Sequence, residues 1–298
     1  MTLGAGKAGA VPVIVHDTID SFRAALRPAG GRVGFVPTMG YLHAGHRSLM
    51  EAARADGRNE LVAASIFVNP LQFGPTEDLA AYPRDLQRDL AICEATGVEH
   101  VLHPSVEEMY PDGTPTLTTV SVAGLSEPME GVSRPSHFAG VATVVAKLFA
   151  IVGPCRAYFG EKDWQQLAVV ARMATDLSFP VDVVGCPIVR EADGLALSSR
   201  NVYLTETERA AAPALHRALL AGAAAIDDGE RVPGQVRAVM RAVLEPVPEA
   251  RIDYLEVLDA GTLASLDRLE GDVRLLGAVH FGRARLLDNT GVTIPAPT

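Results

Sequence analysis

Short apolar runs alternate with amphipathic stretches along most of the chain. Val13 to Val15 is a brief apolar run, and Thr18 to Leu26 has helical spacing behind a capping Asp17 or Thr18. Arg32 to Val36 reads as a buried strand. Leu49, Met50, Ala52 and Ala53 with Glu51 and Arg54 then give the spacing of an amphipathic helix. Leu61 to Val68 is a second buried strand, a helix follows Tyr82-Pro83-Arg84-Asp85 through Ala95, and Gly97 to Leu102 is a third strand. Thr118 to Val122 is rich in β-branched residues and predicts a short β segment. Val141 to Val152 predicts an apolar helix, followed by a strand over Arg156 to Phe159, a helix over Trp164 to Leu177 and a strand over Val181 to Cys186. Such alternation predicts an α/β fold with a parallel, doubly wound sheet.

The pattern changes after Pro187. Two Ala-rich helices, Glu206 to Asp227 and Val232 to Leu244, precede strands near Ile252 to Leu258, Val273 to Val279 and Ala284 to Leu287. A second, smaller α+β domain is expected there, over residues 189–298, after a first domain over 1–188. Met1 to Ala10 reads as a loose end, and Pro75 to Pro83 as a loop.

Composition narrows the possible functions. Of 298 residues 21% are charged, with a net charge of −10, which argues against the basic surface that nucleic acid requires. No apolar run reaches the ~18 residues of a membrane span, and the start lacks a basic-then-apolar signal. Cys93, Cys155 and Cys186 are odd in number and lie in or beside apolar segments, as reduced thiols of a cytoplasmic protein do.

Polar residues gather where the strands end. Arg32 to Val36 runs into Pro37-Thr38-Met39-Gly40-Tyr41-Leu42-His43-Ala44-Gly45-His46, with Pro37 and Gly40 in a turn and the histidines in the first turn of a helix. In an open α/β sheet that crevice binds ligands, and a helix start attracts phosphate. Glycines at 40 and 45 permit close backbone approach, and His43 and His46 share one face. Histidines so spaced also suit a solvated surface; strand, turn and helix start together point to nucleotide phosphates. Zinc would want a third ligand, and none is adjacent. Asn69 and Gln72 follow the second strand and alone would be turn residues. Asp85 and Asp89, at i and i+4, fit a solvated helix face or the one or two carboxylates of a magnesium site. Arg134 and His137 lie just before the apolar helix, where phosphate is favoured. In Gly160-Glu161-Lys162-Asp163-Trp164-Gln165-Gln166, Lys162 can place a compact charge on phosphates, and Asp163 can accept from a ribose hydroxyl or cap the helix. Leu197-Ser198-Ser199-Arg200 lies in a polar loop after Val189.

These blocks resemble the pantothenate synthetase (pantoate–β-alanine ligase) family, which carries a version of the His-x-Gly-His motif of nucleotidyltransferases and class I aminoacyl-tRNA synthetases. Pro37 to His46, Phe67 to Phe73, Arg134 to Gly140, Phe159 to Gln166 and Arg190 to Asn201 stand in the family's order, and the similarity spans nearly the whole chain. The resemblance implies a Rossmann-like nucleotide- and pantoate-binding domain, a C-terminal domain that closes over it, and a homodimer. It implies ATP- and magnesium-dependent joining of (R)-pantoate to β-alanine through a pantoyl adenylate, giving pantothenate, AMP and diphosphate.

By the same resemblance Met39, Gly40, His43, Gly45 and His46 contact ATP, with His46 catalytic and His43 its partner. Gln72 and Gln166 hold pantoate, with Asn69, Arg134 and His137 on the substrate side. Gly160, Glu161, Lys162 and Asp163 bind ATP, and Val189 packs beside the adenine. Leu197, Ser198, Ser199 and Arg200 match the mobile lysine-serine loop of the synthetases, and Asp89 a magnesium-associated acid. The chain departs from the family at Ala44 (usually Glu), Leu197 (Met), Trp164 (frequently Tyr), and at Arg88 and Ile92, where some members place an acid and a glutamine. A nucleotidyltransferase acting on a phosphorylated partner would want more basic substrate contacts than Gln72 and Gln166. A non-catalytic nucleotide sensor would not need His43, His46, Lys162, Ser198, Ser199 and Arg200 together.

Overall fold

Strands whose residues are apolar without alternation have to be covered on both faces, and this chain covers them with helices. The computed structural model describes residues 12–74, 79–80 and 82–296. The loose end expected over Met1 to Ala10, and residues 75–78 and 81 of the Pro75 to Pro83 loop, lie outside the described residues.

The chain divides into two units. The first takes residues 1–120, 139–159 and 173–186; the second takes 121–138, 160–172 and 187–298. The division at 186/187 is close to the 188/189 expected from the pattern, and the second unit also draws two earlier segments to itself.

In the first unit six parallel strands are β1 (Ile14–His16), β2 (Val33–Thr38), β3 (Leu61–Ile66), β4 (His100–Leu102), β5 (Cys155–Gly160) and β6 (Val181–Cys186). Their order is β1-β4-β3-β2-β5-β6, so the direction of winding reverses between β2 and β5. Such a switch point is where open α/β sheets bind ligands. The helices that fall between these strands along the chain are α1 (Ile19–Leu26), α2 (Ala44–Ala55), α3 (Leu86–Ala95), α4 (Val106–Met109), α5 (Glu130–Ser133), α6 (His137–Val152) and α7 (Trp164–Asp176). Val36, Leu42, Met50, Val62, Ala64, Val101 and Tyr158 are among the buried residues that pack into the core of this unit. Cys93, Cys155 and Cys186 are buried thiols, and burial pushes Cys93 and Cys155 up to about 12.

The second unit holds α8 (Glu206–Ala211), α9 (Ala214–Asp227) and α10 (Pro233–Leu244) with the antiparallel sheet β7 (Ala250–Asp259), β8 (Gly271–Phe281), β9 (Ala284–Ile294). Leu215, Leu219, Ile226 and Met240 pack with Val257, Leu275, Val279 and Phe281 in its core. Glu130 reaches this sheet with two hydrogen bonds of 2.7 Å from Arg285 and one from Tyr254, so segment 121–138 is tied to β7 and β9.

Three expectations are corrected. Thr118 to Val122 is not a strand: the Val120 N–H donates to Thr143 Oγ1 at 2.9 Å, and Thr118 and Thr119 are exposed. β-branched residues make a strand only where a neighbouring strand offers a ladder. The helix over Glu206 to Asp227 is two helices, because Pro213 has no N–H to continue the first. The last strand runs on to Ile294, through Asp288 and Asn289, whose polar side chains hide its length in the pattern.

At the β1–β4 edge, His16 Nε2 and His100 Nδ1 share a hydrogen bond of 3.1 Å, and His16 Nδ1 lies 3.2 Å from Ser21 Oγ. Burial lowers both rings below their ordinary 6.5, and for His16 the neighbouring His100 lowers it further. A folded value below the unfolded one means stability that is complete above the unfolded pKa and is lost as pH falls towards the folded one. The Tm is therefore expected to drop between about pH 7 and 5, and less steeply in His100→Gln. Equal slopes in the two proteins, read by circular dichroism, would rule the pair out as a contributor.

Candidate active site

The turn after β2 needs partners for its backbone amides, because Leu42 is fully buried and pulls the turn inside. Side chains supply them. Thr38 Oγ1 accepts from Gly40 N–H at 3.1 Å, and the Asp89 carboxylate accepts from Tyr41 N–H at 2.8 Å and Leu42 N–H at 2.7 Å. Gly40 and Tyr41 have φ of +84° and +51°. Glycine is required at 40, since a Cβ would lie 2.9 Å from Asp89 Oδ2. Tyr41 carries the left-handed strain, and the Arg88 guanidinium lies 5.0 Å over its ring.

The turn delivers His43 to the N-cap of α2. His43 Nδ1 accepts from Gly45 N–H at 3.1 Å, and His46 Nδ1 accepts from His43 N–H at 3.4 Å, a reciprocal capping box made of two imidazoles. The ring centroids are 4.2 Å apart, so the expected shared face is present. With both Nδ1 atoms accepting, the hydrogen of each neutral ring sits on Nε2, a tautomer assigned from the hydrogen-bond network. Gly45 is needed because a Cβ would stand 2.9 Å from the His43 ring. The glycines at 40 and 45 thus make room for protein groups. The amides of residues 40–43 and 45 are likewise already taken.

Beside this turn, Asn69 uses all four of its hydrogen-bonding valences inside the protein. Its Nδ2 donates to Gln72 Oε1 (3.2 Å) and Gly140 O (3.1 Å), while its Oδ1 accepts from Tyr110 O–H (2.8 Å) and Leu71 N–H (3.3 Å). Gln72 Nε2 in turn donates to Met39 Sδ. Gln72 and Asn69 are both buried. Asp85 and Asp89 do not act as a pair: Asp85 caps α3 by accepting from Arg88 N–H at 3.1 Å, and Asp89 is 1% exposed with its oxygens on the turn.

The second unit holds the other predicted residues. Gly160 opens a single 3-10 turn, Glu161–Asp163, ahead of α7. Lys162 Nζ lies 3.2 Å from Asp163 Oδ1. Desolvation works against the Asp163 carboxylate, but Lys162, Arg200 and His137 outweigh it and hold its pKa below the ordinary value. Of these, Lys162 is the one in direct contact with the carboxylate. Arg134 and His137 also contact each other, at 3.2 Å. Val189 O accepts from Leu197 N–H at 2.9 Å, closing a hairpin whose Arg190 is clamped to Asp288 at 2.6 and 2.9 Å. Ser198 caps the next 3-10 turn by accepting from Arg200 N–H, and Ser199 and Arg200 are exposed. Gln166 is half-buried on α7, while its neighbour Gln165 is buried and donates to Leu125 O and Pro128 O.

The Pantoate-beta-alanine ligase family model matches residues 14–291. The chain is 54% identical over 271 residues to a pantothenate synthetase of Moorella thermoacetica, covering 91% of this chain and 94% of that one. With one from Chloroflexus aurantiacus it shares 56% over 277 residues, 93% and 96% of the two chains. The chain belongs to the pantoate–β-alanine ligase family. Crystal structures agree: pantothenate synthetase from Thermus thermophilus superposes with a TM-score of 0.86 at 53% identity, covering 93% and 98% of the chains. A pantoate–β-alanine ligase from Francisella tularensis, complexed with β,γ-ATP and β-alanine, gives 0.74 at 33% identity, covering 93% and 97%. The reaction of this ligase family is the joining of pantoate to β-alanine.

Sequence reasoning on the ligase missed Tyr110, Gln165, Arg274 and Asn289. The first orders Asn69, the second holds Leu125 and Pro128, and the last two reach Glu161 and Lys162. The one local signal was Asp288-Asn289, two polar residues together inside an apolar strand.

Removing the Asp89 carboxylate strands two inward amides, each worth ~1–3 kcal/mol when left unpaired, so Asp89→Ala should lose about 2–4 kcal/mol of stability. Asp89→Asn keeps one acceptor and should lose less. The magnesium concentration for half-maximal activity is expected to stay unchanged in Asp89→Asn; a marked rise would show that the carboxylate serves the metal.

Proposed function

We propose that this chain makes pantothenate from (R)-pantoate and β-alanine by way of an enzyme-bound pantoyl adenylate, with ATP as the activating substrate. The observation that carries the reading is the imidazole capping box, which orients His43 and His46 as Nε2–H donors at the carboxyl end of β2. The first step is attack of the pantoate carboxylate on the α-phosphorus of ATP, forming the C–O–P bond and expelling diphosphate. A carboxylate is ionised at neutral pH, so this step asks for no general base. It asks for alignment and for donors facing the negative charge that grows on the phosphates.

His46 donates there as the catalytic residue, with His43 its partner. Met39, Gly40 and Gly45 shape the same stretch, and Lys162, Ser198, Ser199 and Arg200 add charge and hydroxyl donors. Gly160, Glu161 and Asp163 bind the nucleotide, Asp163 through the ribose hydroxyls, and Val189 and Leu197 border the adenine. Gln72 and Gln166 hold the hydroxyls of pantoate without adding charge, and Asn69 orients Gln72. Arg134 and His137 stand on the substrate side. In the second step β-alanine, as its free amine, attacks the adenylate carbonyl; the C–N bond forms, AMP leaves with the C–O electron pair, and the amine's surplus proton passes to solvent. The same reading places the enzyme in the cytoplasm, supported by its three buried thiols, and in a homodimer, supported by the resemblance alone.

Magnesium, which the resemblance implies, finds no protein cage: among the described residues no three His, Cys, Asp or Glu gather as a metal site, and Asp89 is committed to Tyr41 and Leu42. An ion held by one or two carboxylates and the ATP phosphates needs no such cage, and no step here runs through it.

Diphosphate exchange into ATP with pantoate alone, and AMP release only when β-alanine is added, are the expected results. His46→Gln preserves a side-chain acceptor for the helix cap while removing the ring donor. It should keep a Tm near the parent's and lose about 100-fold or more in single-turnover adenylation. Exchange that does not depend on pantoate would turn the reading towards another acceptor.

A further inference from the structure

The turn that carries Lys162 and Asp163 is bolted to the C-terminal sheet by two buried polar residues, Asn289 on β9 and Arg274 on β8. Asn289 is 2% exposed and Arg274 8%. The Asn289 Nδ2 group donates to two successive carbonyls, Glu161 O at 3.0 Å and Lys162 O at 2.8 Å. One amide group on both carbonyls fixes the two peptide planes that flank the Lys162 Cα. Asn289 Oδ1 accepts from Arg274 Nε at 2.7 Å, which settles the amide's orientation. Arg274 donates to Glu161 Oε2 at 3.3 Å, and its guanidinium lies 3.6 Å over the Trp164 ring. Trp164 Nε1–H donates to Ala260 O at 2.9 Å, so the far end of the turn is held as well.

We propose that Asn289 and Arg274 are positioning residues for nucleotide recognition, acting through the Glu161–Asp163 turn to hold the Lys162 ammonium and the Asp163 carboxylate at a fixed span. The proposal rests on the reading that Lys162 and Asp163 bind ATP. Both residues are far too buried to meet substrate themselves, so their influence passes through backbone geometry. A donor group displaced by about 1 Å loses binding or rate by factors of ten to a hundred. The cost falls on ATP, because pantoate is assigned to other side chains, Gln72 and Gln166.

The test compares Asn289→Ala, Lys162→Ala and the double variant in the full-length enzyme, with ATP, pantoate and β-alanine varied in turn. Trp164 is the chain's single tryptophan, so its emission reports the turn directly. Asn289→Ala is expected to raise KM for ATP about tenfold or more, to leave KM for the other two substrates within about twofold, and to expose Trp164 to iodide quenching. In the Lys162→Ala background the same substitution should change KM for ATP little, since the residue it serves is gone. If Asn289→Ala does not fold, Arg274→Lys takes its place; it keeps a cation near Trp164 but cannot reach Asn289 and Glu161 together. Unchanged KM for ATP in Lys162→Ala would overturn the underlying reading of the turn. An impaired Lys162→Ala beside a normal Asn289→Ala, or strictly additive effects, would overturn the positioning role alone.

Discussion

Everything around the β2–α2 turn follows from a backbone that has to be satisfied away from water. Leu42 takes the turn into the core, two successive residues adopt left-handed φ, and the amides of Tyr41 and Leu42 point inward. A carboxylate is the strongest available acceptor for two converging N–H groups, and α3 supplies it as Asp89. The buried charge would be costly in isolation; here it is offset by both hydrogen bonds, and the strained geometry at Tyr41 is further held by Arg88. Once the turn is set, His43 arrives at the helix N-cap, where its ring accepts from Gly45 N–H. The placement of the two imidazoles is therefore inherited from the requirement to satisfy amides.

The second unit meets its constraints with paired charges. Arg285 with Glu130, Arg190 with Asp288 and Arg274 with Glu161 each connect segments far apart in the chain. Buried pairs of this kind contribute modestly to net stability, because desolvation cancels much of the attraction. Their effect is registry. Each pair fits one alignment of the polar segment on the sheet, and misalignment leaves a charge without its partner. Segment 121–138, the 160–172 segment and the hairpin after Val189 are each fixed in this way to β8 or β9, or to the residues beside them.

Much of this was legible in the sequence. Apolar runs such as Leu61 to Ile66 have no reading other than a covered strand, and strand–helix alternation dictates the parallel sheet. The gathering of polar residues at the strand ends was legible too, as at Thr38 to His46 after β2. What could not be read was what each polar group faces. Asp89 at i+4 from Asp85 looks like half of an acidic pair, yet helix spacing is silent about the loop packed against it. Asn69 alone reads as a turn residue, and nothing local shows that Tyr110 and Gly140, residues 41 and 71 positions away, are among its partners. Arg274 and Asn289 are invisible for the same reason, since their partners lie more than a hundred residues earlier. Thr118 to Val122 failed in the opposite direction: local propensity was right and the neighbouring strand was missing.

The imidazole capping box has an evolutionary consequence. His43 and His46 are tied to the start of α2 by their own ring nitrogens, so selection for folding preserves them even where selection for chemistry has relaxed. A descendant of this scaffold that had lost catalysis would keep its His-x-Gly-His intact for a long time. Lys162 and Arg200 cap nothing, and drift would reach them first. An intact His-x-Gly-His in a distant relative would therefore speak first of an intact helix start.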